Sequence, residues 1–181
     1  SVLESLHERN IENVLALRGD PPQGEEKFIK TKGGFEYGNE LVSFIKKNFS
    51  FCIGAACYPE GHIECKDLDK DIENLKRKVD SGVDFLVTQL FFDNQNYFKF
   101  LDRVQSAKIN IPIIPGIMPI LNLKQMQRFT RMCGANLTPS LLSKFKGVEN
   151  DNEKVREIGI SHAIEQCREL LKYKVPGIHF Y

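Results

Sequence analysis

Short runs rich in β-branched and aromatic residues alternate with longer amphipathic stretches along the chain. Residues 14–17, 51–56, 85–90 and 111–117 are nearly continuous in apolar side chains, the pattern of strands buried on both faces. Residues 177–181 read as a fifth strand. Between them the apolar period changes to that of a helix. Residues 37–48 form one such stretch, and Leu68, Ile72, Leu75 and Val79 mark a second that Ser81-Gly82 stops. Tyr97, Phe98, Leu101 and Val104 mark a third, opened by Asp93 or Asn94 as cap. Residues 123–132, then 139–145, then the long stretch 151–173 complete the series, and Val2, Leu3 and Leu6 read as the end of a helix before the first strand.

Strand, helix and strand repeated in this way predict a parallel sheet with right-handed crossovers. A doubly wound open sheet usually carries a Gly-rich phosphate fingerprint after a strand, and no G-x-G-x-x-G occurs here. A (β/α)8 barrel needs eight strands and about 250 residues, whereas this chain has 181 residues and five strand patterns. It opens on a helix and stops inside a strand. The reading is therefore α/β: a single domain over residues 1–181 that is an incomplete TIM barrel, holding the last five strands and lacking the first.

Charge narrows the partners. Lys plus Arg is 25 and Asp plus Glu is 24, a net charge of +1. That balance excludes nucleic acid as the main partner and a polybasic membrane patch. No apolar run is long enough to span a bilayer, and no signal segment opens the chain. The five cysteines are odd in number and form no C-x-x-C pair, which argues against a disulfide framework or structural zinc. They read as small, mostly buried thiols of a reducing, cytoplasmic protein. No His cluster has metal-ligand spacing, so no metal is expected.

In a barrel the chemistry sits at the C-terminal strand ends. Arg18-Gly19-Asp20 leaves the first strand, and a charged pair there is costly unless something uses it or pairs it. Tyr58-Pro59-Glu60-Gly61-His62 follows the second strand, with a phenol and an imidazole able to stack on a flat cofactor. Gln89 ends the third, an amide that can bond a heterocycle edge in both directions. Pro115-Gly116-Ile117-Met118-Pro119 reads as a stiff turn, and His179-Phe180-Tyr181 ends the fifth strand. Asp71, Asn74 and Lys78 share one helix face. That face is either simply solvated or holds a ribose through Asp71 and a phosphate through Lys78. No strand end carries a Lys, so a Schiff-base lyase lacks its nucleophile. One carboxylate, one amide, several aromatics and two cations suit a large aromatic cofactor that carries the reaction itself.

Several motifs occur together and in order: Leu17-Arg18-Gly19-Asp20-Pro21, Tyr58-Pro59-Glu60-Gly61-His62, Asn74-Leu75-Lys76, Thr88-Gln89-Leu90-Phe91-Phe92, Ile114-Pro115-Gly116-Ile117 with Pro119, and His179-Phe180-Tyr181. In them the chain resembles the methylenetetrahydrofolate reductase family over essentially its whole length, and its eukaryotic branch in Gln89-Leu90-Phe91-Phe92 and Asn150-Asp151-Asn152. The resemblance implies a barrel that binds FAD noncovalently, with NADPH or NADH reducing the flavin. It implies a ping-pong hydride transfer that turns 5,10-methylenetetrahydrofolate into 5-methyltetrahydrofolate, and a homo-oligomer in the full enzyme. Carried over residue by residue, it puts Arg18, Gly19 and Asp20 along the flavin and its ribityl chain, and Tyr37, Gly38 and Tyr58 on FAD. It puts His62, Ile63, Glu64 and Cys65 with Asp71 and Lys78 at the diphosphate and adenosine end. Asp20 and Gln89 face the pterin in catalytic roles, and Phe129 and Tyr181 join them in holding the substrate. Gly38 stands where the family often has Ala, and His62-Ile63-Glu64-Cys65 where it often reads His-Pro-Glu-Ala. The family's first-strand glutamate and the arginine beyond the tyrosine matching Tyr181 are not in this chain. The competing reading is thus an inactive barrel piece that serves as a binding module.

Overall fold

The computed structural model describes residues 2–19 and 28–181; Asp20 lies outside the described residues. Helix α1 (Val2–Glu8) precedes strand β1 (Asn13–Ala16). There follow α2 (Gly38–Asn48), β2 (Cys52–Cys57), α3 (Leu68–Asp80), β3 (Phe85–Thr88), α4 (Asn94–Ser106), β4 (Ile113–Ile114) and β5 (Gly116–Ile117). Helices α5 (Leu123–Cys133), α6 (Pro139–Ser143) and α7 (Asn152–Lys172) lead to β6 (His179–Phe180). The amphipathic patterns thus mark helices to within a residue or two.

Local chemistry sets the boundaries. Asp67, Asp93, Asn122, Thr138 and Asp151 each cap a helix by accepting from a backbone N–H of its first turn. Pro139 opens α6 where no donor is needed. Gly134 closes α5 in the left-handed conformation, φ 77°.

All strand pairs are parallel, and neighbours follow chain order: β1-β2-β3-β4 in one sheet and β5-β6 in the other. The stretch expected to be one strand with a stiff turn is instead a single extended run interrupted at Pro115, which has no N–H to give to a ladder. Below the proline the run pairs with β3; above it, with β6. Pro115 O still accepts from His179 N at 2.9 Å, which ties the two sheets together.

Two apolar clusters form. The main one lies between the sheet and α2, α3, α4 and α7, and includes Val42, Ile53, Leu86, Phe91, Phe100, Ile113 and Leu170. The second gathers Leu90, Phe92, Ile120, Met126, Leu141, Phe145 and Val155. It seats α5 and α6 beside the end of β3. A buried polar seam links the two. Gln166 donates to Phe91 O, Asn94 donates to Gln166 O, and His162 Nε2 meets Phe92 O at 2.9 Å. All five cysteines are free, but only Cys57 is buried and the other four are half-buried. The expectation of mostly buried thiols fails because the other four lie on partly open faces. Among the described residues no helix is long and apolar enough to cross a membrane, and no group of His, Cys, Asp or Glu could hold a metal.

Candidate active site at the strand ends

Arg18 leaves β1 and turns across to the loop after β2. Its guanidinium donates to both carboxylate oxygens of Glu64 at 2.9 Å and lies 4.7 Å from the centre of the Phe28 ring. This bidentate fork holds the Glu64 carboxyl below its usual range. Residues 46 apart in sequence are thereby joined, although sequence reading had placed one along the flavin and the other at its adenosine end.

The loop itself is tightly folded. Gly61 takes φ 92°, and a Cβ there would meet Leu68 Cδ2 at 2.7 Å. His62 donates its backbone N–H to Asp71 Oδ2, and its ring Nδ1 accepts from Glu64 N at 3.1 Å. The imidazole therefore carries its proton on Nε2 when neutral. It stands edge-on to Tyr58, with ring centres 4.6 Å apart. Burial lowers its proton affinity, and raises that of the Asp71 carboxylate. Cys65 closes the turn through its N–H to His62 O, while Ile63 remains exposed.

Lys78 reaches this cluster from α3. Its Nζ donates to Ala56 O at 2.9 Å and lies 5.8 Å from the centre of the Tyr58 ring. Burial depresses its pKa, while Asp71 pulls the other way. No strand carries this lysine, as the sequence reading has it; the cation comes to the end of β2 from the neighbouring helix. Helix side chains lean toward the N-terminus, and this one lays its ammonium against the end of β2. Gly38, the first residue of α2, is a neighbour: a Cβ there would lie 4.0 Å from Lys78 Cε. Tyr37 caps that helix, exposed, with Glu40 accepting from its N–H.

Gln89 ends β3. Its N–H donates to Cys57 O at 2.7 Å, and its Oε1 accepts from Leu90 N at 2.9 Å. The amide sense is thus fixed, with Oε1 toward Leu90 N. The carbonyl oxygen keeps one further lone pair for a ligand. A small cavity lies between Tyr58–Gly61, Gln89–Leu90 and Cys133–Ala135, so the end of α5 adjoins the loop after β2. Glu60 fastens that junction, accepting from Asn136 N at 3.1 Å and from its side-chain amide. Burial raises the Glu60 pKa, against the hydrogen bonds from Asn136 and Asn96 that lower it. Sequence reading quoted Glu60 only as part of a motif and missed Asn136, because the pair is 76 residues apart. Phe129 rides half-buried on α5. Tyr181 donates its hydroxyl to Thr88 O at 2.7 Å.

The structure thus brings Arg18, Gly38, Tyr58, His62, Glu64, Asp71 and Lys78 into one cluster and places Gln89 beside it. A larger groove of about 430 Å³ lies along α6 and α7 at Lys144, Lys154 and His162. It opens to solvent, and its lysines pair with Glu165 and Asp151.

A family model described as methylenetetrahydrofolate reductase matches residues 1–181. The chain belongs to the methylenetetrahydrofolate reductase family. Methylenetetrahydrofolate reductase 1 of Schizosaccharomyces pombe is 40% identical over 183 residues, taking in 100% of this chain and 30% of that protein. The 5,10-methylenetetrahydrofolate reductase of Escherichia coli is 38% identical over 171 residues, covering 94% of this chain and 56% of that one. The chain therefore spans less than two thirds of these relatives. Among solved structures, an uncharacterized protein from Clostridium thermocellum that binds two copies of 5-methyl-5,6,7,8-tetrahydrofolic acid superposes with a TM-score of 0.56. That match covers 88% of this chain and 58% of the other at 18% identity, a likeness of fold.

Proposed function

We propose that this chain is the greater part of a (β/α)8 catalytic barrel that uses FAD and NADPH or NADH to reduce 5,10-methylenetetrahydrofolate to 5-methyltetrahydrofolate. The observation that carries the reading is the convergence of the residues that family resemblance gives to the cofactor. They come from β1, the loop after β2, the start of α2 and the far end of α3, and they meet in one cluster. Consecutive parallel strands in chain order support a barrel segment, since a doubly wound sheet reverses its order at a switch point.

The residues fit a dinucleotide. A half-buried ammonium with depressed proton affinity beside a helix N-terminus is an anion cradle. Lys78 and the start of α2 would hold the diphosphate, with Asp71 and residues 62–65 at the adenosine end. Tyr58 offers a flat face, and Arg18 and Gly19 lie at the mouth of β1. Bound FAD would supply reversible hydride chemistry. Gln89 presents N–H donors to the pterin, Phe129 packs on the substrate, and Tyr181 closes the side formed by β6. Asp20 belongs to the same loop by motif and stands as the electrostatic partner of the pterin. The family setting supports a cytoplasmic homo-oligomer in folate one-carbon metabolism.

The test is direct. The full-length protein should purify yellow, bleach anaerobically with NADPH or NADH, and recover colour on adding methylenetetrahydrofolate. A colourless protein that takes up no added FAD would refute the reading and favour a binding module.

A further inference from the structure

We propose that Tyr181 is a positioning residue: its hydroxyl fixes the peptide that carries Gln89, so that Gln89 offers the folate ring its N–H donors in one orientation. The inference rests on the reading above that Gln89 faces the folate.

The Thr88–Gln89 peptide is held from both sides. Its N–H donates to Cys57 O on β2 at 2.7 Å, and its carbonyl accepts from Tyr181 Oη beside β6 at 2.7 Å. The β3–β4 register ends at Val87 opposite Ile114, one residue short of Thr88. Beyond that point side chains replace the ladder: Gly116 N donates to Thr88 Oγ1 at 2.8 Å, and the phenol takes the carbonyl. With the peptide plane fixed and Oε1 held by Leu90 N, the sense of the Gln89 amide is set, and its NH2 group carries the two donors available to a ligand.

The phenol is itself held in place. Tyr181 N donates to Ile117 O at 3.0 Å, and the His179 ring meets the phenol edge-on at 4.8 Å. Its ring covers Gly116, where a Cβ would come within 2.5 Å of Tyr181 Cε2 and of Thr88 O. Only a glycine lets the ring come this close. A phenol has one proton, and here it goes to Thr88. Tyr181 can accept from a bound ligand but not donate to it, so its contribution runs through Gln89.

The test is a double-mutant cycle in the flavin-loaded full-length protein. Tyr181→Phe keeps the ring on Gly116 and removes only the hydroxyl. It should slow the folate half-reaction by about tenfold, the scale of one lost hydrogen bond, with a much smaller change in flavin reduction by NAD(P)H. In a Gln89→Ala background the same change should cost nothing further. Folate titration of the oxidised protein should give the same non-additivity without turnover. No cost from Tyr181→Phe, or an equal cost in both backgrounds, overturns the inference while leaving the role of Gln89 intact. If Gln89→Ala alone leaves folate binding and its half-reaction unchanged, the Gln89 assignment fails and this inference falls with it.

Discussion

Gly159 sits in the middle of α7 against the chain that leads from β5 into α5. A Cβ at that position would lie 1.9 Å from Ile120 O and 2.7 Å from Ile120 C. That is about 1.5 Å short of an ordinary contact, and the obstacle is backbone rather than the end of a flexible side chain. Gly159→Ala sets two effects against each other. Alanine favours a helix interior by about 1 kcal/mol over glycine. Overpacking of this kind costs about 1–3 kcal/mol, and an immovable carbonyl puts the cost at or above the top of that range. The net expectation is a loss of about 2 kcal/mol or more, which is at least roughly 4–8 °C in melting temperature for a chain of this size. Ile120 belongs to the second apolar cluster, so the push should also reach α5. The assay is thermal unfolding beside Ser161→Ala, an exposed site on the same helix that should change little. A Gly159→Ala protein that melts at or above the parent temperature would refute the reasoning, because the propensity gain would then have met no opposing contact.

Lys78→Met should weaken FAD retention by about 10- to 150-fold, the scale of one lost charge-assisted contact of roughly 1.5–3 kcal/mol, with little change in turnover at saturating FAD; flavin fluorescence titration measures it, and unchanged affinity with lost turnover would count against the assignment. Stability should fall as pH drops below 6.5, where the unfolded chain protonates His62 while burial keeps the folded imidazole neutral. Because the unfolded state binds more protons in that window, the loss continues until the lowered folded pKa is reached. His62→Gln should remove part of this slope in urea unfolding at a series of pH values; part should remain, since burial depresses His162 in the same direction. The 181-residue polypeptide alone should self-associate, because Leu15 and Leu17 near β1 and Phe180 on β6 are 44%, 49% and 61% exposed at the two sheet edges. A sharp monomer peak in size-exclusion chromatography would contradict this.

Much of the fold could be read from the chain because it depends on local periodicity. The helices announce themselves by apolar spacing and by Asp or Asn caps, and β1, β2 and β3 by short apolar runs. Pro115 stood out as part of a stiff turn, but the change of pairing partner across it, from β3 to β6, was hidden because the surrounding residues are as apolar as a continuous strand. The site was legible in residue type but not in connection. Glu64 pairs with Arg18, and Tyr181 reaches Thr88 across 93 residues; no periodicity encodes such contacts. Lys78 was read correctly as a helix-face cation, yet its reach to the end of β2 depends on side-chain direction and on the small residues around it. Gln89 stood out as an amide in an apolar run, but only its bond to Leu90 N shows which way round the amide sits.

The seam above Pro115 also has a bearing on how this protein can be altered. Where two strands share a main-chain ladder, every residue makes the same bonds, and a point mutation leaves them in place. At Thr88 the bonds run through side chains instead: its hydroxyl accepts from Gly116 N, and its carbonyl accepts from the Tyr181 phenol. Each can be deleted, lengthened or re-aimed by changing one codon, while the β1-β2-β3 ladder beside it keeps its register. This side-chain-bonded stretch is therefore more editable than the ladder beside it. Attempts to redesign this stretch should begin at positions 88 and 181 rather than on the strands below, and leave Gly116 alone, since a Cβ there would meet Thr88 O and the Tyr181 ring at 2.5 Å.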